Sequence, residues 1–215
     1  MWFEKGINNP DCDFHDLQNL AIETANDNDI LVEVGNFIGE SLHCLINKTI
    51  LANKNLKLYS VDKFDLDFML REDVENFDKL DYGHPLDRPM GENGTPREYI
   101  EKFKTHKAIL VDFFNKLKEA DKEKYLSGCL VGNSWEIARI FQDKSIHFCF
   151  IDAGHSYNAV KLDLEAWYPK MKNNGIFCGH DWFSGEGVRK AVIEFAKSNN
   201  LKIQIFQSGW RLICE

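Results

Sequence analysis

The segment 148–160, FCFIDAGHSYNAV, places an aspartate and a histidine three positions apart at the end of an apolar run. Asp152 ends a predicted buried strand, and Asp181 ends the next predicted strand along the chain. Because the carboxyl ends of neighbouring parallel strands meet at one rim, the two carboxylates should converge there and attract a hard divalent cation. His155, as an imidazole with an ordinary pKa of about 6.5, could take a proton from a substrate hydroxyl. The pattern predicts His155 and Asp181 as catalytic residues, and Asp152, Asp181 and His180 as metal ligands. Asp65 or Asp67 in the segment after the second predicted strand is an alternative third ligand.

Each of these residues also has a purely structural interpretation. Asp152 could hydrogen-bond the cofactor or nearby backbone amides. His155 could help to cap the helix that starts near Ser156, a role worth about 1 kcal/mol. His180 could be a structural partner at a strand end. The sequence alone leaves both interpretations open.

A second motif, EVGNFIGES, puts Gly35 and Gly39 in a strand-to-helix turn, where missing side chains let a ligand approach the backbone. Glu33 and Glu40 flank this turn, so a pyrophosphate bound there would meet two carboxylates. A ligand with a sulfonium and an amine, but no phosphate, avoids that cost. Asp62, at the tip of the next predicted strand, can accept hydrogen bonds from two ribose hydroxyls. Both observations fit S-adenosylmethionine.

The elements that must position these residues alternate between strand-like and helix-like segments, which indicates a parallel α/β sheet. Helical spacing follows each predicted strand, and after the second strand it belongs to a longer inserted segment. Ser134 is the predicted N-cap of the helix after the third. The five predicted strands are residues 29–35, 56–62, 125–132, 146–152 and 175–181.

The chain ends differently, with two apolar runs separated only by Ser208 and Gly209. This link is too short for a parallel crossover, so an antiparallel hairpin is predicted. We expect one domain over 1–215, with an N-terminal helical segment over 1–28 and a helical insertion over 64–120. The insertion follows the second strand at the carboxyl end of the sheet. There it could form a cap over the site or a passive surface elaboration.

Composition restricts the function classes. The net charge of -8, from 34 acidic and 26 basic residues, argues against a general affinity for nucleic acid or anionic membranes. No apolar run approaches the roughly 20 residues that span a bilayer, and the first residues lack a signal-peptide layout. The six cysteines form no CxxC pair. Cys129, Cys149, Cys178 and Cys214 lie within apolar runs, which predicts that these four are small buried hydrophobes. We therefore expect a cytoplasmic protein.

These motifs resemble those of the class I S-adenosylmethionine-dependent methyltransferases, and more narrowly their macrocin O-methyltransferase-like branch. That branch carries E-x-G-x-x-x-G-x-S, VD, G-x-S-x-E-x-A, IDxxHxY and GHD, which stand here at 33–41, 61–62, 132–138, 151–157 and 179–181. The resemblance covers about residues 30–215 and excludes the insertion. It implies a Rossmann-like class I methyltransferase sheet, mostly parallel, with a C-terminal antiparallel β-hairpin and a helical insertion after the second strand.

The resemblance also implies residue roles. The turn would contact the methionine part of S-adenosylmethionine, Asp62 its ribose, and the third strand tip its adenine. The implied cofactor-binding residues are Glu33, Gly35, Asn36, Phe37, Gly39, Ser41, Asp62, Lys63, Asn133, Ser134 and Asp152. Several relatives that methylate sugar or other natural-product hydroxyls hold a metal at aspartates matching Asp152 and Asp181, with the histidine matching His155 as the proposed base. Other relatives bind no metal.

The leading hypothesis is methyl transfer from S-adenosylmethionine to a hydroxyl of a small-molecule acceptor, assisted by Mg²⁺ or another divalent cation. One alternative is a nicotinamide-dependent oxidoreductase, against which the missing middle glycine, the two glutamates and the terminal hairpin all count. The other is a non-catalytic binding protein on the same fold. Nitrogen and carbon acceptors stay open, and the aromatic Trp2 and Phe3 hint at a contact surface for a homo-oligomer.

Overall fold

The computed structural model describes residues 14–64, 106–183 and 186–214 of the chain. The helices in this part are α1 (His15–Thr24), α2 (Glu40–Leu51), α3 (His106–Glu119), α4 (Ser134–Ile137), α5 (Tyr157–Trp167) and α6 (Glu186–Ser198). The strands are β1 (Ile30–Val34), β2 (Lys57–Asp62), β3 (Leu126–Val131), β4 (Ile146–Ile151), β5 (Met171–Gly179), β6 (Leu201–Phe206) and β7 (Gly209–Cys214). Single 3₁₀ turns lie at Glu123–Tyr125, Ala138–Ile140 and Tyr168–Lys170.

The described strands form one seven-stranded sheet in the order β3-β2-β1-β4-β5-β7-β6. Strands β1 to β5 pair in parallel, whereas β7 runs antiparallel to both β5 and β6. This confirms the predicted α/β sheet with its C-terminal hairpin. The strand order reverses beside β1, where Val34 is level with both Val61 and Ile151, and Ile151 is level with Gly179. Ligands of open α/β sheets bind at such a reversal, beyond the carboxyl ends of the strands.

Alternating side chains of β4 supply both faces of the core. All six residues of this strand are buried, as expected for a parallel strand covered on both faces. Phe148 and Phe150 join the cluster formed by α1, α2 and α3, while Cys149 and Ile151 join the cluster formed by α5 and α6. Asp152 is the first residue past this buried strand, so the strand delivers its carboxylate to the rim.

The segments outside the sheet are described in part. Helix α1 lies within the predicted N-terminal helical segment, and α3 lies within the predicted 64–120 insertion. Residues 65–105, which carry most of that insertion, fall outside the described residues, so the predicted cap remains a prediction. None of the described helices combines the length and apolar character that crossing a bilayer requires.

Several local predictions need correction. Asn133, rather than Ser134, occupies the N-cap position of α4, because the Ser134 hydroxyl is directed to Asp163 instead. The Ser156 hydroxyl caps α5 by accepting from the Ala159 amide at 3.2 Å, so His155 is not needed as a cap. Strand β5 starts earlier than predicted, at Met171, and the hairpin turn consists of residues 207–208 rather than 208–209.

Candidate active site

The tips of β4 and β5 bring two carboxylates and two imidazoles together. His155 Nε2 is hydrogen-bonded to Asp181 Oδ2 and lies 3.8 Å from Asp152 Oδ1. His180 Nδ1 lies 3.5 Å from Asp181 Oδ2 and 4.0 Å from Asp152 Oδ1. His155 is buried, whereas the two aspartates and His180 are partly exposed. The predicted rim is therefore a real cluster of titratable groups.

Charge pairing dominates the protonation of this cluster. Burial alone would lower the pKa of His155, but hydrogen bonding and attraction to Asp152 and Asp181 outweigh burial and raise its pKa to about 9. Burial would raise the pKa of Asp181, but His155 and His180 hold that pKa well below its ordinary value. His155 therefore carries a proton at neutral pH. In this state it donates to Asp181 and cannot accept a substrate proton. Its predicted role as a base therefore requires a bound ligand that removes the proton from His155.

The donor atoms of the cluster fit a divalent cation. Among the described residues, one ligand atom each of Asp152, His155 and Asp181 lies within 4.8 Å of the other two. The sequence pointed to His180 as the imidazole ligand, but the structure brings His155 into this group. Two carboxylates with an imidazole suit Mn²⁺, Fe²⁺ or Zn²⁺ better than Mg²⁺, because Mg²⁺ favours oxygen ligands.

The glycine turn packs directly against the β4 tip. Gly35 has φ 87°, and a Cβ on it would lie 2.0 Å from the carbonyl oxygen of Asp152. Gly39 has φ 86°, and a Cβ there would lie 2.7 Å from the ring of Phe113. The expectation that the missing side chains make room for a ligand is therefore incomplete, since protein atoms fill both spaces. The bulky Phe37 packs its ring against the core on the α1–α3 side.

Glu33 lies at the centre of a buried network behind this turn. Its Oε1 accepts hydrogen bonds from Asn36 Nδ2 at 2.8 Å and from Ser41 Oγ at 2.5 Å, and Ser60 Oγ donates to Asn36 Oδ1 at 2.7 Å. Its Oε2 is buried and has no hydrogen-bond partner among the described residues. Burial raises the pKa of Glu33 to about 8. A buried acceptor left over beside the turn suits a ligand that brings a donor, such as an ammonium group.

Ser60 was missed by sequence reasoning. The signal was present, since Ser60 is a small polar residue in the middle of the apolar strand KLYSVD. A fully buried hydroxyl in such a strand needs a partner, and here it fixes the orientation of the Asn36 amide.

Asp62 holds the turn itself. Its Oδ2 accepts from the amides of Asn36 at 2.6 Å and Phe37 at 2.8 Å, and its Oδ1 accepts from the Phe64 amide at 2.6 Å. The predicted ribose acceptor is therefore already engaged with backbone donors, although each carboxylate oxygen can accept more than one hydrogen bond. Lys63 is exposed beside it. Its predicted cofactor contact and the ribose contact of Asp62 both remain predictions.

The tip of β3 is held by Asp163 on α5, a residue that sequence reasoning did not single out. Asn133 Nδ2 donates to Glu136 Oε2 at 3.0 Å, while the buried Ser134 donates to Asp163 on α5. Burial raises the pKa of Asp163 to about 7. The signal was an acid on the helix face that also carries Val160, Leu164 and Trp167, all of them buried.

Comparison with known proteins identifies the family of the chain. The family model described as "Methyltransferase domain" matches residues 32–182. Among solved structures, the O-methyltransferase NovP has a TM-score of 0.58 at 14% identity, over 94% of this chain and 80% of its own. A putative methyltransferase from Streptococcus mutans, solved with SAH, has a TM-score of 0.54 at 10% identity, over 92% and 96%. The calicheamicin methyltransferase CalS11 has 0.56 at 15%, over 92% and 76%.

No curated protein matches the chain significantly. At these low identities the solved structures establish the fold alone, and the family model carries the assignment. That model spans more than two thirds of the chain and includes Glu33, Asp62, Asp152 and Asp181. The chain therefore belongs to this methyltransferase-domain family, as a class I S-adenosylmethionine-dependent methyltransferase.

Proposed function

We propose that this enzyme transfers the methyl group of S-adenosylmethionine to a hydroxyl of a small molecule, of the sugar or natural-product class. The observation that carries the proposal is the contact between the two halves of the site. The glycine turn, which would hold the methyl donor, abuts the Asp152 backbone, and Asp152 leads into His155 and its carboxylate partners. A methyl donor and a group able to handle a hydroxyl proton would thus lie side by side.

At the end of the site that would hold the methyl donor, carboxylates of the chain provide hydrogen-bond acceptors. The unfilled Oε2 of Glu33 would accept from the ammonium of the methionine part, with Asn36 and Ser41 holding the carboxyl group in place through its Oε1. Asp62 would bind the ribose hydroxyls with the lone pairs that its amide contacts leave. Asn133 and Ser134 at the β3 tip would border the adenine.

At the acceptor end, His155 would handle the proton and Asp181 would orient the imidazole. When bound, a divalent cation on Asp152 and Asp181 would lower the pKa of a coordinated substrate hydroxyl and replace the positive charge now held on His155. The neutral imidazole of His155 could then accept the hydroxyl proton from a substrate held in line with the methyl group.

The class of acceptor rests on charge and on the fold neighbours. A net charge of -8 gives no general attraction for a polyanionic nucleic acid. Of the fold neighbours, NovP is an O-methyltransferase and CalS11 a TDP-rhamnose 3'-O-methyltransferase. Family membership also sets aside the nicotinamide-dependent oxidoreductase and the non-catalytic binding protein.

The first experiment is a calorimetric titration of the full chain with S-adenosylmethionine, in magnesium and in a chelating buffer. Saturable binding supports the donor site. A sugar or phenolic acceptor is then titrated in the same two buffers, and loss of acceptor binding in the chelator supports a metal. Labelled methyl transfer is then followed on a panel of sugar and phenolic hydroxyl compounds. Absence of donor binding in every divalent-metal buffer would refute the proposal, and transfer only to nitrogen or carbon would refute its acceptor.

Two variants test the proton-handling role. We expect His155→Gln to slow methyl transfer by roughly 10²- to 10⁴-fold, because it removes the general base, while donor binding persists. Asp152→Asn should abolish the stimulation of methyl transfer by a divalent metal. Asp143→Asn is the matched control, because Asp143 is exposed and paired with Lys170 far from the rim; it should leave both properties unchanged.

A further inference from the structure

The backbone that carries Asp181 is held from three sides. The His180 amide donates to the Ile151 carbonyl at 3.1 Å, which ties the β5 tip to β4. The Trp182 amide donates to the Ser208 carbonyl at 2.8 Å, in the turn of the C-terminal hairpin. The remaining contact comes from Trp210, whose indole Nε1 donates to the His180 carbonyl at 3.0 Å. Asp181 is the one residue between these anchored neighbours.

Asp181 also has an unusual backbone conformation. Its φ is 60°, in the left-handed region, which aspartate enters more readily than most non-glycine residues but still at a cost in free energy. This conformation directs the carboxylate to His155. The conformation depends on the anchors on either side of it.

Trp210 is built into the fold at this point. It is fully buried, it pairs with Gly179 across β5 and β7, and a Cβ on Gly179 would lie 2.4 Å from its ring. The indole therefore occupies the space that a side chain at Gly179 would need, and its N–H donates to the carbonyl of the residue just before Asp181. A hydrocarbon ring would fill this space equally well, so packing alone does not explain the N–H contact.

We infer that Trp210 is a positioning residue for the Asp181 carboxylate, and that the C-terminal hairpin is thereby part of the acceptor site. The inference rests on the proposed function, because that function makes Asp181 a metal ligand and the partner that orients His155. Trp210 acts through the His180 carbonyl. Its loss should loosen the spacing between Asp181 and Asp152.

The chain supplies a matched control in Trp167. This tryptophan is also fully buried, but its indole Nε1 has no hydrogen-bond partner among the described residues. Trp210→Phe and Trp167→Phe remove the same atoms from the core. Trp210→Phe alone breaks a hydrogen bond, but Trp210 also lines the cavity that contains Asp152 and His155. We therefore add 3-benzothienylalanine at position 210, which keeps the shape of tryptophan and lacks the donor, and this variant separates positioning from packing.

The test measures Mn²⁺ binding to the full chain by electron paramagnetic resonance of the free ion. We expect Trp210→Phe to weaken Mn²⁺ binding about tenfold, as loss of an outer hydrogen bond does at metal sites, with Trp167→Phe unchanged. S-adenosylmethionine binding should persist in both, because Glu33 and Asp62 lie on other strands. Equal effects of the two variants would overturn the inference, as would a wild-type chain that binds S-adenosylmethionine but no Mn²⁺.

The failure of the proposed function looks different. A wild-type chain that binds no S-adenosylmethionine refutes that function, while Mn²⁺ weakening confined to Trp210→Phe still supports the inference. If Trp210→Phe does not fold, the variant with 3-benzothienylalanine at position 210 decides the question by the same Mn²⁺ measurement.

Discussion

Asp163 should make the stability of this protein fall as pH rises, and Asp163→Asn should remove that fall. The side chain is 1% exposed, on the core face of α5, and accepts a hydrogen bond from Ser134. Burial raises the pKa of Asp163 to about 7, with the Ser134 hydrogen bond opposing it. In the unfolded chain the same group has a pKa of about 3.9.

The sign follows from this difference. A group whose pKa is raised on folding contributes stability that is complete below about pH 4 and is lost as pH rises through about 7. Each pKa unit corresponds to about 1.4 kcal/mol, so from about pH 5 to about pH 8 the loss is about 3 kcal/mol. Asparagine mimics the protonated acid, keeps an oxygen for Ser134 and does not titrate. The variant should therefore gain about 3 kcal/mol on the wild type across this range.

The assay is urea unfolding followed by circular dichroism at about pH 5 and about pH 8, for the wild type and Asp163→Asn. Other titrating groups are common to both proteins and cancel in the difference of unfolding free energies. Asp143→Asn is the control, because its side chain is 69% exposed, and its difference should stay flat with pH. A pH-independent difference for Asp163→Asn, or one that shrinks toward about pH 8, would refute the reasoning.

Two further predictions concern the glycine turn. Glu33→Gln should bind S-adenosylmethionine about tenfold more weakly, because it removes the acceptor charge for the ammonium (about 1.4 kcal/mol per tenfold). Because the pKa of Glu33 is raised, wild-type binding near neutral pH should release a proton, and Glu33→Gln should abolish that release. Calorimetry in buffers of different ionisation enthalpy measures the release. Glu165→Gln, a change at an exposed glutamate, should retain it. Gly35→Ala should cost on the order of 3 kcal/mol in urea unfolding, because of its positive φ and the clash with Asp152. Gly128→Ala should cost less, since its Cβ would meet only side chains, Tyr59 at 3.2 Å and Leu130 at 4.0 Å. Equal losses in the two variants would contradict this account.

The elements were predictable because their signals are local. Buried parallel strands read as continuous apolar runs, and the two-residue link before Trp210 excludes any connection but a hairpin. The convergence of Asp152 and Asp181 was equally predictable, because adjacent parallel strands end at the same rim. The exact ends of the elements were harder to predict. Ser134 is a residue type common at N-caps, but its hydroxyl donates to Asp163 on another helix.

The roles of individual side chains depend on partners that are distant in sequence. His155 has the residue type of a base, but the fold places it between two carboxylates that hold its proton. Asp62 was predicted to await a ribose, and the fold gives it the amides of the turn. Residue type and order along the chain thus determined the sheet, its rim and the kind of chemistry there. Tertiary structure decided which groups are protonated, which hydrogen-bond partners they have and how Trp210 anchors the rim. Burial and charge pairing act through space, between residues that are far apart in the sequence.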